Sequence, residues 1–125
     1  MPVTALDHMV MYVSDIEEAV DFYTTLDGID EGEYAGVRKY LEVGDQRINL
    51  RHADDTELVA ANPEAGSADI CLISDTPLDA VRADLESRNI DIIEGPVPRS
   101  GAHGELSSIY FRDPDGNLVE IANTV

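Results

Sequence analysis

Apolar and polar positions along the first half of the chain predict a strand, a helix and a β-hairpin. The apolar run at 6–13 is typical of a buried strand, and apolar residues then recur at helical spacing over 16–26. Two further strands are predicted at 37–43 and 46–52, joined by a tight turn at Gly44-Asp45.

The same order of signals restarts after the polar stretch 53–67. It predicts these elements: a strand at 68–74, a helix with an apolar stripe at Leu78, Val81 and Leu85, a strand at 90–95, and a hairpin of 105–111 and 117–123 across the turn 113–116. Both halves thus contain a strand, a helix, and two or three antiparallel strands. The simplest description is an α+β fold of two βαβββ modules.

Short polar residues and a glycine predict where the two helices begin and end. Ser14 stands at an N-cap position and Glu17 follows three residues later, which is the pattern of a capping box. Gly28 is the predicted end of the first helix. Thr76 is the predicted cap of the second helix, and Asn89 its predicted end.

The repeat also predicts the domain organisation. We expect a single domain over 1–125, with a first module at 5–53, a linker at 54–67 and a second module at 68–123. One module of about 55 residues buries too little apolar surface to be secure alone. We therefore expect the modules to pair, with their sheets curving around a shared cleft and their helices on the outside.

The charge balance limits which partners the protein can bind. The chain has 26 acidic and 8 basic residues, for a net charge of −18. Such a field repels phosphate backbones, so we expect no nucleic-acid partner. The acidic residues are spread along the whole chain, which favours a solvated acidic surface suited to concentrated salt, and hence a halophilic source.

Composition excludes several other classes of protein. No stretch approaches the roughly 20 apolar residues of a membrane span, and residues 1–10 lack the basic-then-apolar order of a signal peptide. Cys71 is the single cysteine, which excludes an intrachain disulfide framework. We expect a cytoplasmic protein without membrane contact.

Four polar residues interrupt apolar strands at matching places in the two halves. His8 and Asp69 lie in the first strands, and Asn49 and Glu120 lie in the last strands. A hydrogen-bonded core histidine at His8 and a solvated carboxylate at Glu120 are the simpler alternatives. A buried carboxylate would need a cation, a proton or a donor.

Two segments of the chain resemble the vicinal oxygen chelate superfamily. They are LDHMVMYVSDIEEAVDFY (6–23) and GPVPRSGAHGELSSIYFRDPDGNLVEI (95–121), with an aromatic-x-DPDGN-x-x-E motif at the end of the second. This superfamily includes glyoxalases, extradiol dioxygenases, fosfomycin-resistance enzymes and bleomycin-resistance proteins. The second half most resembles the small glyoxalase-like proteins of bacteria. The resemblance implies a metal-centred cleft and, usually, a homodimer.

The resemblance also implies metal ligands from the first and last strand of each module. His8 matches the first ligand and Glu120 the last, whereas Asn49 stands where glyoxalases usually carry Glu, and Asp69 where His is usual. This oxygen-rich set suits Mn²⁺, Fe²⁺, Mg²⁺ or Ni²⁺. One His with two carboxylates inverts the usual triad of non-haem iron oxygenases, which weakens a dioxygenase assignment.

Substrate-binding candidates lie outside that set. Arg99 and His103 belong to a glycine-flanked stretch, 99–104, that resembles the mobile segment over the cleft in this superfamily. Arg99 there would clamp a carboxylate or phosphate, unless the stretch is an ordinary surface loop. We expect Tyr110 to line the cleft. His52 is an outside candidate, because strand alternation places it opposite Asn49.

The resemblance implies two alternative functions. The first is a metalloenzyme, a lyase or isomerase that acts on a small oxygenated molecule through a metal-stabilised enolate, with Glu120 moving a proton. The second is a metal-free binding protein of the bleomycin-resistance type. Asn49 and Asp69 favour the second function, whereas His8 and Glu120 favour the first.

Overall fold

The computed structural model describes all 125 residues, which form two helices and eight strands. The elements are β1 (His8–Val13), α1 (Ile16–Tyr23), β2 (Ile29–Tyr34), β3 (Arg38–Val43), β4 (Gln46–His52), β5 (Asp69–Ile73), α2 (Leu78–Ser87), β6 (Glu94–Gly101), β7 (Gly104–Arg112) and β8 (Leu118–Thr124). The chain divides into two compact units, residues 1–67 and 68–125. Neither helix is long and apolar enough to cross a bilayer.

Unit 1 is a four-stranded mixed sheet in the order β1-β4-β3-β2. β1 runs parallel to β4, and the other neighbours are antiparallel. α1 packs against β3 and β4, and its buried face comprises Ala19, Val20 and Tyr23. Because strand side chains alternate between faces, this helix covers one face of the sheet and leaves the other for polar side chains.

Unit 2 repeats the same topology, with strand order β5-β8-β7-β6. β5 runs parallel to β8, and α2 packs against β7 and β8. Ile109, Phe111 and Val119 are fully buried in its core. Each unit is therefore a βαβββ module, and the prediction of an α+β chain of two such modules is confirmed.

The two edge strands differ most from the sequence prediction. β2 (Ile29–Tyr34) was missed because only Ile29 of it is buried and three of its six residues are acidic. β6 begins at Glu94 rather than at residue 90, and it contains Pro96 and Pro98. An edge strand pairs on one side only, so it tolerates proline and shows little apolar alternation.

The ends of α1 also differ from the prediction. Asp15, rather than Ser14, caps the helix, and its carboxylate accepts a hydrogen bond from the backbone N–H of Glu18 at 3.0 Å. The helix ends at Tyr23 instead of continuing to Gly28. Asp and Ser are equally good caps, so neighbouring cap residues are hard to separate from sequence alone.

The start of α2 is capped from a distant strand. The helix begins at Leu78, whose N–H donates to Asn123 Oδ1 at 3.0 Å, so the predicted cap at Thr76 is wrong. The Asn123 amide also donates to the carbonyls of Ser74 and Thr76, at 2.9 and 2.8 Å. The end of α2 was predicted correctly, since Asn89 follows the helix with a φ of +62°.

A second asparagine fixes the other end of β8. Asn117 is fully buried; its Oδ1 accepts from Ala68 N at 2.8 Å, and its Nδ2 donates to Asp113 at 2.7 Å. The Asp113 carboxylate also accepts the backbone N–H groups of Asp115 and Asn117. The Asp-Pro-Asp-Gly-Asn turn therefore ties the start of β5 to the start of β8.

We expect Asn117→Ala to destabilise the protein by about 2–4 kcal/mol, because it removes the acceptor of the half-buried Ala68 N–H and one donor to the buried Asp113 carboxylate. Urea unfolding followed by circular dichroism measures this change. Asn62→Ala, at an exposed loop position, is the matched control and should change the unfolding free energy little. Equal stability of the two variants would show that the hydrogen bonds of the Asn117 side chain do not stabilise the fold.

Candidate functional site

The strand register gives the four polar residues equivalent positions in the two units. Asn49 on β4 pairs with the residue two after His8, and Glu120 on β8 pairs with the residue two after Asp69. Residues two apart on a strand share a face. His8 and Asn49 therefore lie on one sheet face of unit 1, and Asp69 and Glu120 lie on the corresponding face of unit 2.

In unit 1, the two polar residues differ in exposure. The His8 side chain is 42% exposed, and its Nδ1 lies 2.9 Å from an Asp7 carboxylate oxygen. Asn49 is only 8% exposed, and its buried Oδ1 has no hydrogen-bond partner. A buried acceptor without a donor is costly, so Asn49 has an unmet need for a hydrogen-bond donor or a cation.

In unit 2, Glu120 is half-buried between two strand neighbours that lie opposite it. Cys71 faces it from β5 and Tyr110 faces it from β7. Burial, together with the charges of Glu120 and Asp69, raises the pKa of the Cys71 thiol to about 11. The thiol therefore stays protonated at neutral pH, which argues against a nucleophilic role for it.

Arg99 is held by two side chains and by the Pro98 carbonyl in unit 2. Its Nε donates to the Tyr110 hydroxyl oxygen at 2.8 Å, and its Nη2 donates to Glu94 at 3.0 Å. Burial and the charge of Glu120 raise the pKa of Tyr110, while the bond from Arg99 opposes that change. Since Arg99 donates to the phenol oxygen, the phenol's own O–H is left to donate to the Glu120 carboxylate across the strands.

An open pocket of about 490 Å³ brings most of the predicted residues of unit 2 together. Its polar lining consists of Asp69, Glu94, Arg99, Tyr110, Arg112 and Glu120. Both carboxylates and the tyrosine of the sequence prediction therefore share one pocket with Arg99. Such a set combines a base, a hydrogen-bond donor and a fixed positive charge.

The predicted loop over the site is not a loop in the structure. Residues 99–101 belong to β6 and β7 begins at Gly104, so only 102–103 form the turn of a hairpin. Arg99 is a strand residue for this reason, and His103 is exposed at the tip of the turn. His52 ends β4, exposed, and strand alternation places it on the face opposite Asn49.

Tyr40 is a site residue that the sequence prediction missed. It pairs with Asn49 across β3 and β4, as Tyr110 pairs with Glu120 across β7 and β8. The guanidinium of Arg47 lies 3.9 Å from the centroid of the Tyr40 ring. A tyrosine in the first strand of the final hairpin, in both halves of the sequence, was the available signal.

The side chains fit a hard divalent ion by their chemistry, although the structure contains no group of three His, Cys, Asp or Glu side chains arranged around a metal position. Carboxylate oxygens of Asp69 and Glu120 share a pocket, and the amide oxygen of Asn49 lacks a donor. Oxygen donors with one imidazole suit Mn²⁺, Fe²⁺, Ni²⁺ or Mg²⁺ better than ions that prefer thiolates.

Comparison with known proteins finds close relatives over the full chain. The virulence protein STM3117 of Salmonella typhimurium is 44% identical over 126 residues, covering 100% of this chain and 88% of the relative. Its crystal structure superposes with a TM-score of 0.93 over 100% of both chains. The glyoxalase domain-containing protein RDO1 of Mycosarcoma maydis is 39% identical, covering 98% of this chain and 70% of the relative.

More distant structures share the fold. A fosfomycin resistance protein, FosX, from Listeria monocytogenes was crystallised with Mn(II) and a sulfate ion; it is 18% identical, with a TM-score of 0.71 over 99% of this chain and 93% of that one. The family model that describes the glyoxalase/bleomycin resistance protein/dioxygenase superfamily matches residues 5–121. The chain therefore belongs to the glyoxalase/bleomycin resistance protein/dioxygenase superfamily.

Proposed function

We propose that the chain is a metal-dependent lyase or isomerase that acts on a small oxygenated molecule. His8, Asp69 and Glu120 would hold a divalent ion, with Asn49 as a further oxygen donor. When bound, the ion supplies a positive charge that stabilises negative charge developing on substrate oxygens. The placement of Glu120 in one pocket with Asp69, Tyr110 and Arg99 is the observation that carries this proposal.

Glu120 is the proposed proton carrier. It is half-buried, and the neutral thiol of Cys71 and the phenol of Tyr110 are its strand neighbours. A carboxylate within hydrogen-bond reach of a substrate proton can act as a general acid or base. In this proposal, Glu120 takes a proton from the substrate carbon and returns it to a neighbouring atom.

Tyr110 and Arg99 support that step in different ways. Because Arg99 donates to the Tyr110 oxygen and to Glu94, its guanidinium is already committed within unit 2. We therefore propose that Arg99 positions Tyr110, whereas the sequence alone suggested that it clamps a substrate anion. Tyr110 then donates its own O–H to the Glu120 carboxylate and so orients the proposed proton carrier.

The alternative function is metal-free ligand binding, and metal analysis separates the two. We expect protein purified without chelator to contain one equivalent of a transition metal, and His8→Ala and Glu120→Ala to abolish tight Mn²⁺ or Ni²⁺ binding in calorimetry. His103→Ala removes an exposed imidazole from the hairpin turn and should bind metal like the unchanged protein.

Two results would contradict the enzyme proposal. Metal-free protein that repeatedly takes up no Mn²⁺ or Ni²⁺ favours the binding function instead. Unchanged metal affinity in His8→Ala shows that any bound ion is held elsewhere. We also propose that the protein binds a small-molecule substrate, forms a homodimer and is located in the cytoplasm.

We also propose that the protein works in concentrated salt. The acidic side chains that give the net charge of −18 repel one another in dilute buffer, and salt screens that repulsion. The melting temperature should therefore rise between dilute buffer and molar KCl, as measured by differential scanning fluorimetry. Sucrose of equal osmolality is the control, because it stabilises folded proteins without screening charge. An equal rise in sucrose would argue against adaptation to salt.

A further inference from the structure

Arg47 forms no ion pair, which is unusual in so acidic a chain. Six of the eight basic residues lie within 4.0 Å of a carboxylate oxygen: Arg38, Lys39, Arg51, Arg82, Arg88 and Arg99. Arg112 is exposed and donates to the Gly116 carbonyl at 3.2 Å. Arg47 is half-buried and has neither a carboxylate nor a carbonyl partner.

The position of Arg47 leaves its donors available. Its guanidinium stacks on the Tyr40 ring, 3.9 Å from the ring centroid. Stacking occupies the flat face of the guanidinium, so the N–H groups at its edge remain free to bind an acceptor. They border an open pocket of about 330 Å³, lined by Asp7, Tyr40, Glu42, Gly44, Asp45, Gln46 and Arg47.

In unit 2, the arginine beside the equivalent tyrosine is neutralised by a glutamate of the same unit. Tyr110 is accompanied by Arg99, and Glu94, which pairs with Tyr110 across the strands, neutralises that arginine. In unit 1, Gly32 occupies the position that corresponds to Glu94. A Cβ at Gly32 would collide with the Tyr40 ring, so no carboxylate can be supplied from there. Glu42 pairs with Arg47 across β3 and β4 but forms no ion pair with it, so the guanidinium stays available to an anion from solution.

The surrounding charges limit what that anion can be. Asp7, Glu42 and Asp45 line the same pocket, and Asp7 is already engaged by His8. These carboxylates, with the net charge of −18, repel polyanions such as nucleic acids. A small monoanion is repelled less than a polyanion and can therefore reach Arg47. A carboxylate matches the two parallel donors of a guanidinium edge, so it is the favoured group.

We propose that Arg47, supported by Tyr40, binds the carboxylate of a small organic acid. His8 pairs directly with Arg47 in the strand register, so the acid group would lie beside the predicted metal ligand of unit 1. This inference rests on the proposed function in one respect only, since it assigns the carboxylate to the substrate of that site. Arg47 is then a specificity-determining residue.

Metal-free protein allows a direct test. Arginine Nε–Hε signals are followed by NMR during titration with glycolate, with its neutral counterpart glycolamide, and with inorganic phosphate, all at constant ionic strength. We expect a saturable shift of the Arg47 signal with glycolate, a weaker response to phosphate and none to glycolamide. Equal responses to glycolate and glycolamide would overturn the inference, and tighter binding of phosphate would overturn the assignment to a carboxylate.

Substitutions decide whether Arg47 carries the binding. Arg47→Met keeps the apolar stem and should weaken glycolate binding about 10-fold or more. Arg47→Lys keeps the positive charge but loses the paired donors and the stacking on Tyr40. Its affinity for glycolate should therefore lie between those of the unchanged protein and Arg47→Met. Arg88→Met, which breaks one exposed helix pair with Asp84, is the matched control and should bind like the unchanged protein.

The outcome is independent of the metal experiment. If Arg47→Met binds glycolate as tightly as the control, the carboxylate site is wrong, whatever His8→Ala does to metal binding. If glycolate binding depends on Arg47 while no metal binds, the acid-binding site stands and the lyase or isomerase proposal falls.

Discussion

The contacts at both ends of β8 are the constraint on which the site of unit 2 depends. Asn117 ties the start of β8 to Ala68, and Asn123 ties its end to the segment that leads into α2. These bonds fix the register of β8 against β5. A slip of one residue would turn Glu120 toward the helix-covered face, where a carboxylate has no solvent and no partner. The acidic side chain therefore faces the pocket because two amides hold the strand.

The two units keep one geometry and differ in charge. Each has a tyrosine opposite the last polar strand residue, Tyr40 in unit 1 and Tyr110 in unit 2, and each tyrosine is accompanied by an arginine. In unit 2 a glutamate balances that arginine, whereas in unit 1 the corresponding position is Gly32. This difference in charge is the basis for proposing a positioning role for Arg99 in unit 2 and a binding role for Arg47 in unit 1.

The sequence predicted elements that bury apolar side chains and missed those that do not. β4, β7 and β8 alternate strongly enough to be placed within a residue or two, and the face of Glu120 followed from that alternation. The edge strands β2 and β6 bury little, so their sequences carry no such signal. Arg99 was misplaced for the same reason, and its bond to Tyr110 depends on a pairing that only the folded sheet defines.

Concentrated salt would make the environment of Arg47 more important. Exposed ion pairs lose most of their attraction when salt screens them, but a half-buried guanidinium is screened less. Stacking on Tyr40 also fixes the orientation of the planar guanidinium, whose two parallel edge donors match a bidentate carboxylate and not a spherical chloride ion. An acidic protein that must select an organic acid in the presence of excess chloride therefore needs an arginine that is stacked, partly buried and left without an internal partner.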